Sequence, residues 1–301
     1  MVALAALLGL LLPLLAGALS PATAADEPGT GAGEEPTARQ ERVAQRMAQG
    51  FPLPLPTSPL GDPPGANDWS CVPSAERPVP VVLVHGTFGD RKNLLEPLSQ
   101  AISDAGYCVF SLDYGNRGTG KIQRSARQLK RYVGRVLEAT GAEKVSLVGH
   151  SQGGLMPRFY IKKLGGRKVV DDLVGIAPSN HGTLITGPEN PLSGGLFGLI
   201  CPACLQQSAG SAFLRKVNRG DETPGRVSYT QITTAYDEVV VPHTSGYLAE
   251  GPRTTNLTLQ DLCTPVLAEH LLIPTATPTV DLVLHALGRR GPADPTYQPA
   301  C

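Results

Sequence analysis

The chain has 301 residues, 41% of them apolar, which is enough to bury one large core and excludes a chain that is disordered overall. Lysine plus arginine and aspartate plus glutamate each number 26, so no net charge draws the chain towards nucleic acid or an anionic membrane. The six cysteines, an even number, point to disulfides made in an oxidising compartment.

Residues 2–19 form an uncharged Leu- and Ala-rich run that ends in small residues up to Ala25. Residues 1–24 are expected to be a secretory signal peptide cut near Ala24, although a basic leading region is missing; an uncleaved N-terminal anchor is the alternative. Secretion to the extracellular space follows. Residues 25–66 are rich in Pro, Gly, Glu and Thr and bury little, so they are expected to form a linker or loosely packed arm. The folded domain is expected over 67–301.

Val79 to His85 reads as a buried strand stopped by Gly86, and Asn93 to Ala105 carries Leu95, Leu98, Ile102 and Ala105 at helical spacing. Tyr107 to Asp113 is a second strand. From Ile122 a stripe of Ile122, Ala126, Leu129, Val133, Val136 and Leu137 predicts a long amphipathic helix. Arg124, Arg127, Lys130, Arg131 and Arg135 lie off that stripe, as on a solvated face.

Lys144 to Arg158 is a short apolar run, broken at Gly149 and resumed as a helix, with Gly149-His150-Ser151-Gln152-Gly153 at its centre. A serine between glycines, with a strand before and a helix after, is the pattern of a nucleophile elbow, which holds the hydroxyl up on a strained turn. Pro157 inside the following helix costs a hydrogen bond and predicts a kink. Asp172 to Ala177, Tyr229 to Thr234 and Thr255 to Gln260 are three more strands, and Val280 to Leu287 is a closing helix. The alternation predicts an α/β fold, a mainly parallel sheet with helices on both faces. Between 183 and 220 glycines interleave with Leu196, Phe197, Leu199, Ile200 and Phe213, an irregular insertion expected to be a lid or substrate-binding loop, with packed core as the bland reading.

A serine hydroxyl needs a base, and the base needs a buried carboxylate on its far nitrogen. Elbow folds place these in the order Ser, acid, His. After Ser151 the histidines are His181, His243, His270 and His285. His285 fits a helix surface and His181 precedes every plausible acid strand; His270, in the loop after the last strand, is the expected base, with His243 as fallback. Asp237, just past the strand ending at Thr234, is the expected acid, with Glu238 beside it as a hedge; Asp261 lies close to His270 in the chain, and Asp171 and Asp172 precede their strand. Two main-chain donors must receive the oxyanion: Gln152, after the nucleophile, and Thr87, in the loop after the first core strand. The Thr87 hydroxyl is a candidate third donor. Leu155, Leu196, Phe197, Leu199, Ile200, Leu271 and Ile273 suggest an apolar acyl channel, as any core would.

Taken in order, His85-Gly86-Thr87-Phe88-Gly89, Gly149 to Gly154, the run from Gly175 to Thr183, Tyr236-Asp237 and Glu269-His270 resemble the secreted class 2 lipases of actinobacteria. More distantly they resemble lipase B of Candida antarctica. The resemblance covers roughly residues 66 to 290. It implies the α/β-hydrolase fold and a cofactor-free, metal-free serine hydrolase of triacylglycerols or simpler carboxylic esters, with Ser151, Asp237 and His270 as triad and Thr87 with Gln152 as oxyanion hole. It also implies a Cys71–Cys108 bridge. Cys201, Cys204, Cys263 and Cys301 then allow three pairings, all read as structural; a bridge at Cys263 would brace the loop presenting His270. The expected partners are an ester or lipid substrate and transient contact with a lipid interface, for a monomer that binds no nucleic acid. The same triad serves polyester or thioester cleavage or acyl transfer, and a non-catalytic binding relative is the reading from another class.

Overall fold

The computed structural model describes residues 61–92, 94–184, 199–264 and 266–301. The signal segment 1–24, nearly all of the arm, and the centre of the insertion with Leu196 and Phe197 lie outside the described residues. Six strands form one sheet: β1 (Val81–Val84), β2 (Val109–Leu112), β3 (Val145–His150), β4 (Val170–Ile176), β5 (Ser228–Thr233) and β6 (Thr254–Thr258). Their spatial order is β2-β1-β3-β4-β5-β6, and every pairing is parallel. Parallel neighbours need crossovers, which puts helices on both faces and explains why β1, β2, β3 and β5 are buried at every residue.

Side chains that alternate along the strands divide the core in two. On one face Val82, Val84, Phe110, Leu112, Leu147 and Leu173 meet α2 (Ile122–Thr140) and α3 (Gln152–Lys163). On the other, Val81, Leu83, Val109, Val148, Val174 and Ile232 meet α1 (Glu96–Asp104) and α7 (Thr277–Leu287). The predicted stripe of α2 is buried from Ile122 to Val136, its arginines at 124, 127, 131 and 135 are exposed, and Gly141 ends the helix in the left-handed region. Among the described residues there are three further short α-helices: α4 (Pro202–Gln206), α5 (Ala212–Asn218) and α6 (Leu259–Leu262).

Several boundaries differ from expectation. Residues 61–66 of the expected arm dock on the body: Ala66 bridges Val109, and the Pro64 carbonyl accepts from the Ser99 hydroxyl. β4 starts at Val170, so Asp171 and Asp172 lie within it; Asp172 is buried against the Ser146 hydroxyl, and burial pushes its carboxyl up to about 7. Leu155 and Ile273, expected to line a channel, are fully buried in the two cores. Helix α3 runs over Gln152–Lys163 with Pro157 inside it.

The chain order reverses between β1 and β3, since β2 lies on the far side of β1. Loops leaving the carboxyl ends of β1 and β3 therefore diverge and open a crevice, where open α/β sheets hold their sites. The bridges are Cys71–Cys108, Cys201–Cys204 and Cys263–Cys301. Cys263–Cys301 spans 38 residues that include His270 and α7. By the chain-entropy relation such a loop contributes about 4 kcal/mol. Replacing Cys263 and Cys301 together by serine is expected to lower the unfolding free energy by an amount of that size, seen as a lower thermal midpoint by calorimetry in oxidising buffer; an unchanged midpoint contradicts the bracing role.

Candidate active site

Ser151 joins β3 to α3 with φ 56° and ψ −123°, a backbone conformation that L residues rarely adopt. Two absent side chains permit it. A Cβ on Gly149 would lie 1.9 Å from the Gly153 carbonyl oxygen, and one on Gly153 would lie 2.0 Å from the Val84 carbonyl oxygen. Helix α3 can thus begin directly on top of β3 and β1. The first amide groups of a helix have no acceptor within it, so Gln152 N–H, at the start of α3, has no partner inside the helix.

Asp237 follows β5 and His270 follows β6 and α6. His270 Nδ1 donates to Asp237 Oδ2 over 2.9 Å, with the two side chains only 4% and 1% exposed. The other carboxylate oxygen, Asp237 Oδ1, accepts the Val239 and Val240 amides at 2.9 and 2.7 Å. Those bonds fix the direction in which the carboxylate presents its second oxygen. The two loops are also stitched together: Thr234 Oγ1 donates to the Ala268 carbonyl at 2.7 Å, and Gln260 takes Ala235 N–H and gives to the Val266 carbonyl. Burial pulls the His270 imidazole down, but the Asp237 charge and hydrogen bond, with Glu238 and Glu269 beyond, outweigh it and hold the group above its ordinary value.

The remaining candidates go elsewhere. His181 bonds Glu222 at the surface over 2.9 Å. His243 lies in a short 3-10 turn edge-on to Tyr247, and His285 stacks on Tyr297 at 3.8 Å. Asp261 is exposed on α6. Glu238 is not the imidazole's partner: its Oε2 accepts the His270 main-chain amide at 3.4 Å, and burial and then the Glu269 charge push its carboxyl up to about 7.

Thr87 sits in the loop after β1 with its hydroxyl oxygen accepting from Gln152 Nε2 at 2.7 Å and from Gln207 Nε2 at 3.0 Å. Both amides are oriented by carbonyls, Gln152 by Gly118 and Gln207 by Ala203, and Gln207 Oε1 also accepts from Ser179. With both lone pairs of Thr87 Oγ1 engaged, its own proton is left to donate. Gln207 went unnoticed in the sequence because it lies in the irregular insertion, where spacing carries no signal. Exposed Leu184, Leu199 and Ile200 flank the undescribed centre of that insertion, and exposed Leu267 and Leu272 flank His270.

Comparison with known proteins agrees with this architecture. The family model for class 2 lipases matches residues 78–266. A triacylglycerol lipase of Pseudarthrobacter phenanthrenivorans is 41% identical over 92 residues, 27% of this chain and 27% of that protein. Lipase B of Pseudozyma antarctica is 29% identical over 134 residues, 42% of this chain and 37% of that protein. The matched stretches thus span well under half of these relatives. Among solved structures, lipase B of Aspergillus fumigatus superposes with a TM-score of 0.63 at 22% identity, covering 80% of this chain and 64% of that one, which shows a shared fold.

The steric argument at the elbow is open to direct test. Gly153→Ala forces a methyl group into a main-chain oxygen and is expected to destabilise the protein by about 3 kcal/mol or more, at or above the usual cost of overpacking. Urea unfolding measures it, and a variant as stable as the parent contradicts the close approach.

Proposed function

Since the chain belongs to the class 2 lipase family, we propose that it is a secreted lipolytic serine hydrolase that cleaves carboxylic esters, triacylglycerols among them. Its catalytic groups in this reading are Ser151, His270 and Asp237, with Thr87 and Gln152 receiving the oxyanion. The observation that carries the proposal is the buried His270–Asp237 hydrogen bond of 2.9 Å, made by loops at the carboxyl edge of the sheet that also presents the strained Ser151. Three disulfides support a compartment outside the reducing cytosol. Exposed leucines beside the insertion and beside His270 support contact with a lipid surface.

The chemistry follows from the geometry. His270 donates through Nδ1 to Asp237, so Nε2 is the nitrogen left to act as base. It takes the Ser151 hydroxyl proton as Oγ bonds to the ester carbonyl carbon. The carbonyl π pair moves to oxygen, where the Thr87 and Gln152 amides and the Thr87 hydroxyl stabilise it. Collapse of that intermediate breaks the bond to the alkoxy oxygen, which leaves as alcohol with the proton from His270. Water then gives its proton to His270 and attacks the acyl-enzyme; a second collapse returns the proton to Ser151 and releases the acid. The Asp237 carboxylate orients the imidazole and stabilises the transient imidazolium.

Three outcomes are expected. Ser151→Ala abolishes hydrolysis of p-nitrophenyl esters while leaving the fold intact by circular dichroism; retained turnover in that variant would sink the proposal. Thr87→Val, which deletes one donor, lowers kcat by roughly a hundredfold, about 3 kcal/mol of transition-state stabilisation, with KM nearly unchanged. Thr87→Ser stays close to wild type, and equal rates for Val and Thr would remove the hydroxyl from the mechanism. The pH profile follows from the raised His270 value: the base works only when neutral, so activity falls as pH drops through a limb lying above the ordinary imidazole value of 6.5. A limb below that value contradicts the assigned environment.

A further inference from the structure

His150, the residue before Ser151, ends β3 with its side chain buried. Its Nε2 lies 2.8 Å from the main-chain oxygen of His270. A carbonyl only accepts, so Nε2 carries a proton and donates it. Burial, reinforced by the neighbouring His270, pushes the His150 imidazole down to about 3, which makes the ring a neutral donor. The two rings sit 4.8 Å apart, tilted by 46°.

The described residues leading up to His270, 266–269, have no regular secondary structure, so the ladder bonds that fix a strand or helix residue are missing there. Its imidazole is tied to Asp237, but its amide reaches Glu238 only over 3.4 Å, long for an N–H···O bond. The bond from His150 is therefore the short anchor on the main chain of the base. It comes from the residue covalently joined to the nucleophile. A lysine or arginine at this position would put a fixed positive charge beside an imidazole that must itself become positive.

We propose that His150 is a positioning residue, whose Nε2–H holds the main-chain oxygen of His270 and so fixes the distance between the imidazole on Asp237 and Ser151. This rests on the assignment of Ser151, His270 and Asp237 made above. Loss of the donor leaves a buried carbonyl unsatisfied and lets the base drift, and a displacement of about 1 Å costs on the order of a hundredfold in rate.

Two variants and two readouts test it in the full chain. His150→Phe keeps a flat ring and removes the donor; His150→Gln keeps an amide N–H of similar reach. On soluble p-nitrophenyl butyrate the first is expected to lower kcat by about tenfold to a hundredfold with little change in KM. The second is expected to recover most of that loss. Proton NMR supplies a readout independent of turnover: the low-field resonance of His270 Nδ1–H, held by Asp237, is expected to broaden or vanish in His150→Phe and persist in His150→Gln. If His150→Phe does not fold, His150→Asn, whose shorter amide stops short of the carbonyl, takes its place with the same expected losses. An unchanged kcat and resonance in a donor-free variant, or equal losses in Gln and Phe, would overturn the role. If the wild-type protein cleaves no ester, the enzymatic assignment falls while the resonance still decides the fate of the clamp.

Discussion

The rest of the site depends on one buried hydrogen bond, from His270 Nδ1 to Asp237 Oδ2. Taking a carboxylate out of water is costly unless its oxygens are fully bonded, and here the Val239 and Val240 amides engage one oxygen while the imidazole engages the other. The two partners stand on different loops, so the bond survives only where those loops are held side by side. Thr234 and Gln260 do this through main-chain contacts, and the parallel register of β5 and β6 brings both loops out at the same edge.

The same edge delivers the other half of the site. Reversal of strand order between β1 and β3 opens a crevice bordered by the Thr87 loop on one side and Ser151 on the other. There two glutamine amides, themselves aimed by carbonyls, donate to the Thr87 hydroxyl oxygen and leave its proton to donate to the substrate in the proposed mechanism. One of those glutamines belongs to the residue following the proposed nucleophile and the other to the chain after α4, so the insertion reaches the centre of the site through Gln207. Preorganised donors of this kind need no reorganisation as charge develops, which is where electrostatic catalysis has its advantage over water.

How much of this was legible in the sequence varies with the physics involved. The α2 stripe and the apolar strands were readable because burial imposes a period, and Ser151 was readable because a hydroxyl on that turn requires glycines at fixed spacing. Asp237 and His270 followed from chain order and from standing at strand ends, and they meet as expected, although their catalytic roles remain proposals. The start of β4 was set at Asp172, two residues late, because the paired Asp171 and Asp172 look like the edge of a loop; the Ser146 hydroxyl offers Asp172 a buried partner that only the fold reveals. Leu155 and Ile273 looked like channel residues and proved to be core, since apolarity does not distinguish the two. Gln207 and the contact from His150 to the His270 carbonyl were invisible for a common reason: each joins residues distant in the chain through a polar atom that no periodicity predicts.

The central claim is that Ser151, His270 and the Thr87–Gln152 donors form one preorganised reaction centre. It is tested most directly by the structure of the protein after reaction with a serine-directed alkyl phosphonate. The account predicts phosphorus bonded to Ser151 Oγ, the phosphoryl oxygen between the amides of Thr87 and Gln152 and within reach of the Thr87 hydroxyl, and His270 Nε2 hydrogen-bonded beside Oγ. An unmodified Ser151 in folded protein, or an adduct whose phosphoryl oxygen points away from both amides, would contradict it.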